Sequence, residues 1–324
     1  MRNLYHYPQV MTKRLLSTFA EDHLCYSKTM SSLRQNIIEM HCHTVFSPDA
    51  KRTPEELVEA AAVKGVNVFS ITDHNHVGAQ ELAAQHAASF NMRYVPGVEI
   101  DAVVPSGQNC HFVCFYFDVH DATLQSVITQ TSSSYAKQFL EIQPHLQDHG
   151  CGLELEEIQK RLPERYLTNT EADVNIWFAR ELLIEQKKVA DAAEYAQILQ
   201  KIQQKLRDAG QLKALPRVQF DAMRDAVHGA SGKVLLAHVS RYLPGKMDQQ
   251  LELIESLLEN GMDGFELYHP DNVKEREFHR LEELARSTDC FLSGGSDCHD
   301  VLDASRNQHF AKTRVDDWFL ERMV

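Results

Sequence analysis

From residue 37 onward, short apolar runs alternate with stretches whose apolar positions recur at helical spacing. The runs Ile37–Met40, Val66–Thr72, Arg93–Glu99, His111–Phe117, Lys233–His238, Asp263–His269 and Cys290–Ser293 read as strands. Between them, helices are expected over 53–64, 78–90 and 248–260, and in a segment carrying Phe278, Leu281 and Leu284. Thr53-Pro54-Glu55-Glu56 writes the first helix start: Thr53 caps, Pro54 suits the first position, and Glu56 completes a capping box. Gly65 supplies its left-handed stop. Strands separated by helices predict parallel pairing with right-handed crossovers, which opens every carboxyl end on one face. About seven such strands fall just short of the standard eight-stranded barrel.

Residues 121–224 break this rhythm. They are long, polar and helical, Gln-rich around 190–209, with an amphipathic segment carrying Val174, Trp177, Phe178 and Leu182. We read them as a helical insertion capping the barrel mouth; extra helices on an outer ring are the alternative. The expected organisation is an N-terminal extension (1–36), a barrel built from 37–120 and 225–324, and the insertion between its halves. The extension has no clear period, only an apolar patch from Val10 to Phe19.

The strand ends carry the candidate chemistry. His41 and His43 lie two apart, so on a strand they share a face while Cys42 turns the other way. Alone, a His-x-His says little. At corresponding places, however, the chain also carries Asp49, His74, Glu99, His111, His238, Asp297 and His299. Taken singly, His111 or His238 reads as a satisfied core histidine and Asp49 as a turn former after Pro48. Strand ends of a parallel barrel converge, so together the nine groups imply one metal-binding pocket. Asp73 reads as a partner or strand-end cap rather than a ligand, because His74 takes the inward direction.

At these residues the sequence resembles the PHP (polymerase and histidinol phosphatase) superfamily. The motifs are His41-Cys42-His43, Thr72-Asp73-His74, Gly97-Val98-Glu99, His111, Ala237-His238 and Ser296-Asp297-Cys298-His299, within 37–119 and 230–300. It looks most like the branch of nucleoside bisphosphate phosphatases and 5′ oligonucleotide exonucleases, which shares His238-Val239-Ser240-Arg241-Tyr242, Glu266-Leu267-Tyr268-His269-Pro270 and an insertion in the same place. The resemblance implies an α/β fold, a distorted (β/α)7 barrel, with a trinuclear centre. One ion would be held by His41, His43, Glu99 and Asp297, a second by Glu99, His111 and His238, and a third by Asp49, His74 and His299, with Glu99 bridging. Imidazole and carboxylate ligands suit Mn, Fe or Zn without choosing among them. A hydroxide bridging the metals is then the expected attacking group, with Arg241 as a fixed cation on the phosphate and His269 as a proton donor or substrate contact. The branch tends to carry Arg-Pro-His before its Phe-Ala-Arg element, and His-Pro at its later histidine. This chain has Asn175-Ile176-Trp177 before Phe178-Ala179-Arg180, and His238-Val239. Substrate choice is therefore expected to differ, with Arg180 a candidate phosphate contact.

Bulk properties narrow the partners. A net charge of −13 argues against gripping long nucleic acid through its phosphates. Three divalent ions would nevertheless outweigh the three carboxylates Asp49, Glu99 and Asp297 and make the pocket locally positive. A small phosphorylated substrate or a short single-stranded oligonucleotide fits that field. Seven scattered cysteines without a Cys-x-x-Cys pair argue against a disulfide framework. No apolar run reaches membrane-span length, and the first 36 residues have no signal-peptide core, so a cytoplasmic enzyme is expected. The expected function is hydrolysis of a phosphate ester of a small nucleotide, nucleoside bisphosphate or short oligonucleotide. The alternatives are a histidinol-phosphatase-like phosphomonoesterase, an amidohydrolase-type C–N hydrolase needing a carboxylated lysine where Glu99 stands, and a non-catalytic metal-binding module.

Overall fold

In the computed structural model, the described residues are 36–154, 156–157, 176–211, 217–303 and 307–323. Residues 1–35 of the expected extension lie outside them, as do Val174 and Asn175, and nothing is described of the Trp177 and Phe178 side chains. The described residues open with β1 (Asn36–Glu39), α1 (Pro54–Val63), β2 (Val68–Phe69), α2 (Gln80–Ala88) and β3 (Arg93–Tyr94). Thr53 and Glu56 form the expected capping box, and Gly65 takes φ 75° just past the helix. Two longer strands follow, β4 (Gly97–Val103) and β5 (Asn109–Phe115), then the helices α3 (Ala122–Leu146), α4 (Ile176–Glu185), α5 (Ala192–Asp208) and α6 (Phe220–Gly229). The last part runs β6 (Lys233–Leu236), α7 (Val239–Tyr242), α8 (Met247–Glu259), β7 (Gly264–Tyr268), α9 (Pro270–Val273), α10 (Phe278–Ser287), β8 (Phe291–Gly294), β9 (Thr313–Val315) and α11 (Asp317–Arg322).

These strands form two sheets, ordered β3-β2-β1-β9 and β4-β5-β6-β7-β8, rather than one closed barrel. The expectation of uniformly parallel strands fails at three pairs: β4–β5, β5–β6 and β1–β9 are antiparallel. The cause at the first is chain length. Val103 and Asn109 are opposite partners, and the few residues between them, with Gly107 at φ 87°, suffice for a hairpin but not for a crossover helix. Reversal of β5 is also what brings His111 to the site, since its amino end lies beside the carboxyl ends of its neighbours. Backbone hydrogen bonds link the sheets on both sides of β1 and β4. Met40 N–H donates to Gly294 O (3.1 Å), Asp297 N–H to His41 O (2.8 Å), and Asn75 N–H to Glu99 O (2.7 Å).

Two apolar clusters pack around the sheets. One holds β4–β8 with Phe112, Phe220 and Phe265; the other lies under α1 and α2 and contains Cys42 and Cys298. The helical segment has a third of its own, built from Phe139, Ile142, Leu182, Leu183, Tyr195, Ile202 and Leu206. Helix α3 spans two of them: Leu124 and Ile128 sit in the sheet core, Phe139 and Ile142 in the helical one. Helix α6 straddles the expected boundary at 224/225 and packs Phe220, Met223 and Val227 into the sheet core.

The tightest backbone approach is between β7 and β8. A Cβ on Gly264 would lie 1.8 Å from the carbonyl oxygen of Phe291, so the strands could not keep their register. Gly264→Ala is expected to lower unfolding free energy by at least about 1–3 kcal/mol, read as a reduced urea midpoint at unchanged slope.

Candidate metal centre

All nine strand-end groups expected to form a pocket do converge. Glu99 is the hub, only 1% exposed. Its Oε1 lies 3.0 Å from both His111 Nδ1 and His238 Nε2, and its Oε2 lies 3.0 Å from His74 Nδ1 and 3.4 Å from Nε2 of both His41 and His43. Asp297 forms a second focus, its Oδ1 3.0 Å from His43 Nε2, 3.5 Å from His41 Nε2 and 3.6 Å from His299 Nδ1. Asp49 Oδ1 lies 3.4 Å from His299 Nε2 and 4.0 Å from His74 Nε2. Asp297 and His238 hold left-handed backbone, φ 54° and 28°, a conformation L side chains adopt at a cost and usually at sites that need it.

Strand alternation works as expected at His41-Cys42-His43. Cys42 turns into the apolar cluster and its thiol donates to Ser70 O (3.2 Å), while both imidazoles face Glu99. Each is held from behind. Glu266 Oε1 sits 3.0 Å from His41 Nδ1, and its Oε2 accepts the His238 backbone N–H at 2.9 Å. Ser47 Oγ donates to Asp73 Oδ1 (2.8 Å), so it accepts from His43 Nδ1–H (3.0 Å) and from the His74 N–H (2.9 Å). Asp73 also takes the Thr44 N–H and hydroxyl, both at 2.6 Å, and thus serves as the cap and partner expected of it. On the far side of His111, Asp101 Oδ1 lies 2.9 Å from Nε2.

These bonds leave the inward nitrogens as the free ligand atoms. His43 spends its Nδ1 hydrogen on Ser47; its Nε2 lone pair then confronts Asp297 Oδ1 across 3.0 Å, an arrangement that calls for a cation between them. Burial, with His299 and His74 close by, lowers the His43 pKa to about 3, and burial is also the main cause that takes His238 to about 4, so both are neutral imidazoles at neutral pH. Burial alone would raise the Glu99 carboxyl, but His74, His41 and His111 hold it well below the usual carboxylate range. Burial opposes a charge on His41, yet Glu266, Glu99 and Asp297 push its pKa well above the ordinary value. His41 Nε2 and Glu99 Oε2 are buried without a hydrogen-bond partner. Buried polar atoms are rarely left so, and a nitrogen and an oxygen that both face one point suit a shared metal ion. Three sets of ligand atoms lie mutually within 4.8 Å and could hold an ion: His41, His43, Glu99 and Asp297; His74, Glu99 and His111; and His43, His74 and His299.

Three further candidates stand at the rim. Arg241 Nη2 lies 2.7 Å from Asp297 Oδ2, and Nε and Nη2 both reach Asp271 Oδ2 at 3.1 Å. His269 Nδ1 accepts the Asp271 N–H (3.1 Å), which leaves the hydrogen of the neutral ring on Nε2, 3.7 Å from Asp297 Oδ2. From the helical segment, Arg180 Nη2 comes within 3.4 Å of Asp49 Oδ2 and 2.9 Å of Glu181. Sequence reasoning gave no role to Glu266, Ser47 or Asp101. Glu266 lay inside a quoted motif, and the local signal for Asp101 is its place two residues after Glu99, on the same face of one strand.

The chain belongs to the PHP domain family, whose model matches residues 39–267. Among curated proteins it is 26% identical to a 5′-3′ exoribonuclease of Haemophilus influenzae over 271 residues, covering 81% of this chain and 89% of that protein. It is also 24% identical to a 3′,5′-nucleoside bisphosphate phosphatase of Chromobacterium violaceum over 269 residues, 81% of this chain and 87% of that protein. Of solved structures, a Bifidobacterium adolescentis protein assigned to the metal-dependent phosphoesterases superposes with TM-score 0.69 at 21% identity, covering 91% of this chain and 98% of the other. A Chromobacterium violaceum protein described as an amidohydrolase gives TM-score 0.65 at 20% identity, covering 86% and 91%. At such identities the structural likeness concerns the fold. Among the described residues no helix is long and apolar enough to cross a membrane, and six cysteines, Cys42, Cys110, Cys114, Cys151, Cys290 and Cys298, are free and buried.

Proposed function

We propose that the protein is a metal-dependent phosphoesterase that hydrolyses a phosphate ester of a nucleotide, a nucleoside bisphosphate or the 5′ end of a short oligonucleotide. The observation that carries the reading is the hub at Glu99, where five histidines meet one buried carboxylate with unpartnered inward atoms. The relatives named exoribonuclease and bisphosphate phosphatase support the substrate class. His41, His43, Glu99 and Asp297 would hold one ion, as their grouping supports. Glu99, His111 and His238 would hold a second and Asp49, His74 and His299 a third, with His74 near enough to Glu99 and His111 to serve either. Mixed nitrogen and oxygen donors suit Mn, Fe or Zn. Divalent ions held by these residues would supply Lewis-acid charge to phosphate oxygens and would lower the pKa of a water.

The chain's own residues do the rest. Arg241, anchored by Asp271, presents guanidinium hydrogens at the edge of the cluster, where a phosphate oxygen can replace part of its contact with Asp297. His269 turns Nε2–H inward and can hydrogen-bond a phosphate or leaving oxygen. Arg180 brings a second guanidinium from the helical segment to Asp49, which supports reading 121–224 as a cap that selects what enters. We read the two linked sheets as a distorted (β/α)7 barrel, with the bridges Cys42–Cys298 and His74–Glu99 standing where continuous strand pairing would close it. The free thiols support a cytoplasmic setting. Glu99 occupies the place where the C–N hydrolase alternative needs a carboxylated lysine.

The test is reconstitution with Mn, Fe or Zn followed by phosphate release from nucleoside 3′,5′-bisphosphates, mononucleotides, 5′-phosphorylated short oligonucleotides and histidinol phosphate. Turnover of one of the first three, with histidinol phosphate slower, is expected. Preference for histidinol phosphate would transfer the protein to the non-nucleotide class, and metal uptake with no release from any substrate would make it a binding module.

A further inference from the structure

We propose that Asp101, which is not among the nine strand-end groups, is a positioning residue for the metal centre: it fixes His111 so that Nδ1 faces Glu99, and it locks the segment that carries His74. The inference rests on reading the cluster as a metal centre. In the β4–β5 hairpin Asp101 stands directly opposite His111, and Glu99, two residues earlier, projects to the same face of β4. The imidazole is therefore held between two carboxylates, Nε2 at 2.9 Å from Asp101 Oδ1 and Nδ1 at 3.0 Å from Glu99 Oε1. When an ion shared with Glu99 takes the Nδ1 lone pair, the ring hydrogen sits on Nε2, where Asp101, which only accepts, receives it.

The other oxygen of Asp101 works on His74. Asn75, the next residue, holds φ 50°, and its side chain pairs reciprocally with Asp101: Nδ2 donates to Oδ2 at 2.6 Å, and Oδ1 accepts the Asp101 N–H at 3.1 Å. Asn75 N–H in turn donates to Glu99 O at 2.7 Å. One carboxylate, 7% exposed, thus braces two separate histidine-bearing segments against the hub. It also reaches the helical segment, since Tyr135 of α3 hydrogen-bonds it and the Ser132 hydroxyl donates to Asn75 O at 2.8 Å.

Asp101→Asn leaves the shape but puts an amide hydrogen against either His111 or Asn75. The full chain, as wild type, D101N, His111→Gln and the double variant, is titrated with Mn(II), with bound metal counted by elemental analysis and thermal unfolding followed after metal stripping. D101N is expected to weaken binding of an ion by about 10–100-fold without a matching fall in the stability of the stripped protein. The double variant is expected to lose less than the product of the two single losses, because the share of the Asp101 effect that runs through His111 is already gone while the share through the His74 segment remains. Wild-type affinity in D101N, losses that multiply in the double variant, or a matching fall in stripped-protein stability would each overturn the proposal. Should D101N not fold, Asp101→Glu is read in the same cycle with the same outcomes. A wild-type chain that takes up no Mn(II) counts against the metal-centre reading, whereas normal wild-type and D101N uptake counts against Asp101 alone.

Discussion

Glu99→Gln is expected to abolish phosphate release, by about 10³-fold or more, and to lower the bound metal in the same preparation. The substitution keeps the shape of the side chain and removes its charge. Both oxygens of Glu99 are committed, one toward His111 and His238 and the other toward His41, His43 and His74. Whichever way the glutamine amide turns, its NH2 faces nitrogens that need an acceptor or a shared cation. Among the described residues no other carboxylate reaches both groups of histidines: Asp297 approaches His41, His43 and His299, Asp49 approaches His74 and His299, Glu266 lies behind His41 and Asp101 behind His111. Elemental analysis after gel filtration, beside a phosphate-release assay, measures both effects. Activity within about tenfold of wild type would mean that the hub does not organise the chemistry.

What could be read in advance was periodic or local. Period two at His41-Cys42-His43 places two imidazoles on one face, and the cap-to-stop grammar from Thr53 to Gly65 marks the helix that follows. The strand-end groups were legible because parallel strands share a face. His111 does reach the cluster, but by a different route from the one expected: a parallel β5 would have put this amino-terminal position at the wrong end, and the antiparallel hairpin sets it beside Glu99. Sheet closure was not legible, since the sheets meet through single bridges and backbone contacts whose partners lie far apart in sequence. Short β9 and α11 were missed as well; β9 has three residues and pairs antiparallel to β1, too brief for a hydrophobic period to register.

The bracing residues were hidden for a different reason. Glu266 contacts a ring nitrogen brought from another segment, Ser47 reaches His43 only through the turn that follows it, and the one local sign of Asp101 is its place two residues after Glu99. Glu39 belongs with them. It is fully buried, accepts the Ser296 and Ala311 N–H groups at 2.8 and 2.9 Å, and so ties β1 to the loop presenting Asp297; burial raises its carboxyl to about 7. From sequence it was only the residue before Met40. Such residues set ligand orientation and are invisible until the fold supplies the partner.

Arg241→Met should separate substrate binding from metal binding. The side chain is 44% exposed, so its guanidinium stands at the mouth of the cluster rather than within it. Its contacts are with Asp297 Oδ2 and Asp271 Oδ2, the first at the edge of the histidine cluster and the second fixing the plane of the guanidinium. Methionine preserves much of the apolar stem and removes every donor. Loss of a charge-assisted contact to a phosphate that gains charge in the transition state is expected to lower kcat/KM by about 10²-fold, which corresponds to about 2.7 kcal/mol. Bound metal should stay at the wild-type level, because all the nitrogen and oxygen donors grouped around Glu99 are retained. Asp271→Asn keeps the guanidinium but weakens its anchor, so its effect should be smaller and in the same direction. Steady-state kinetics with matched elemental analysis decides the matter: an Arg241→Met protein that loses metal would make Arg241 a support for Asp297, and one with unchanged kcat/KM would remove it from the phosphate path.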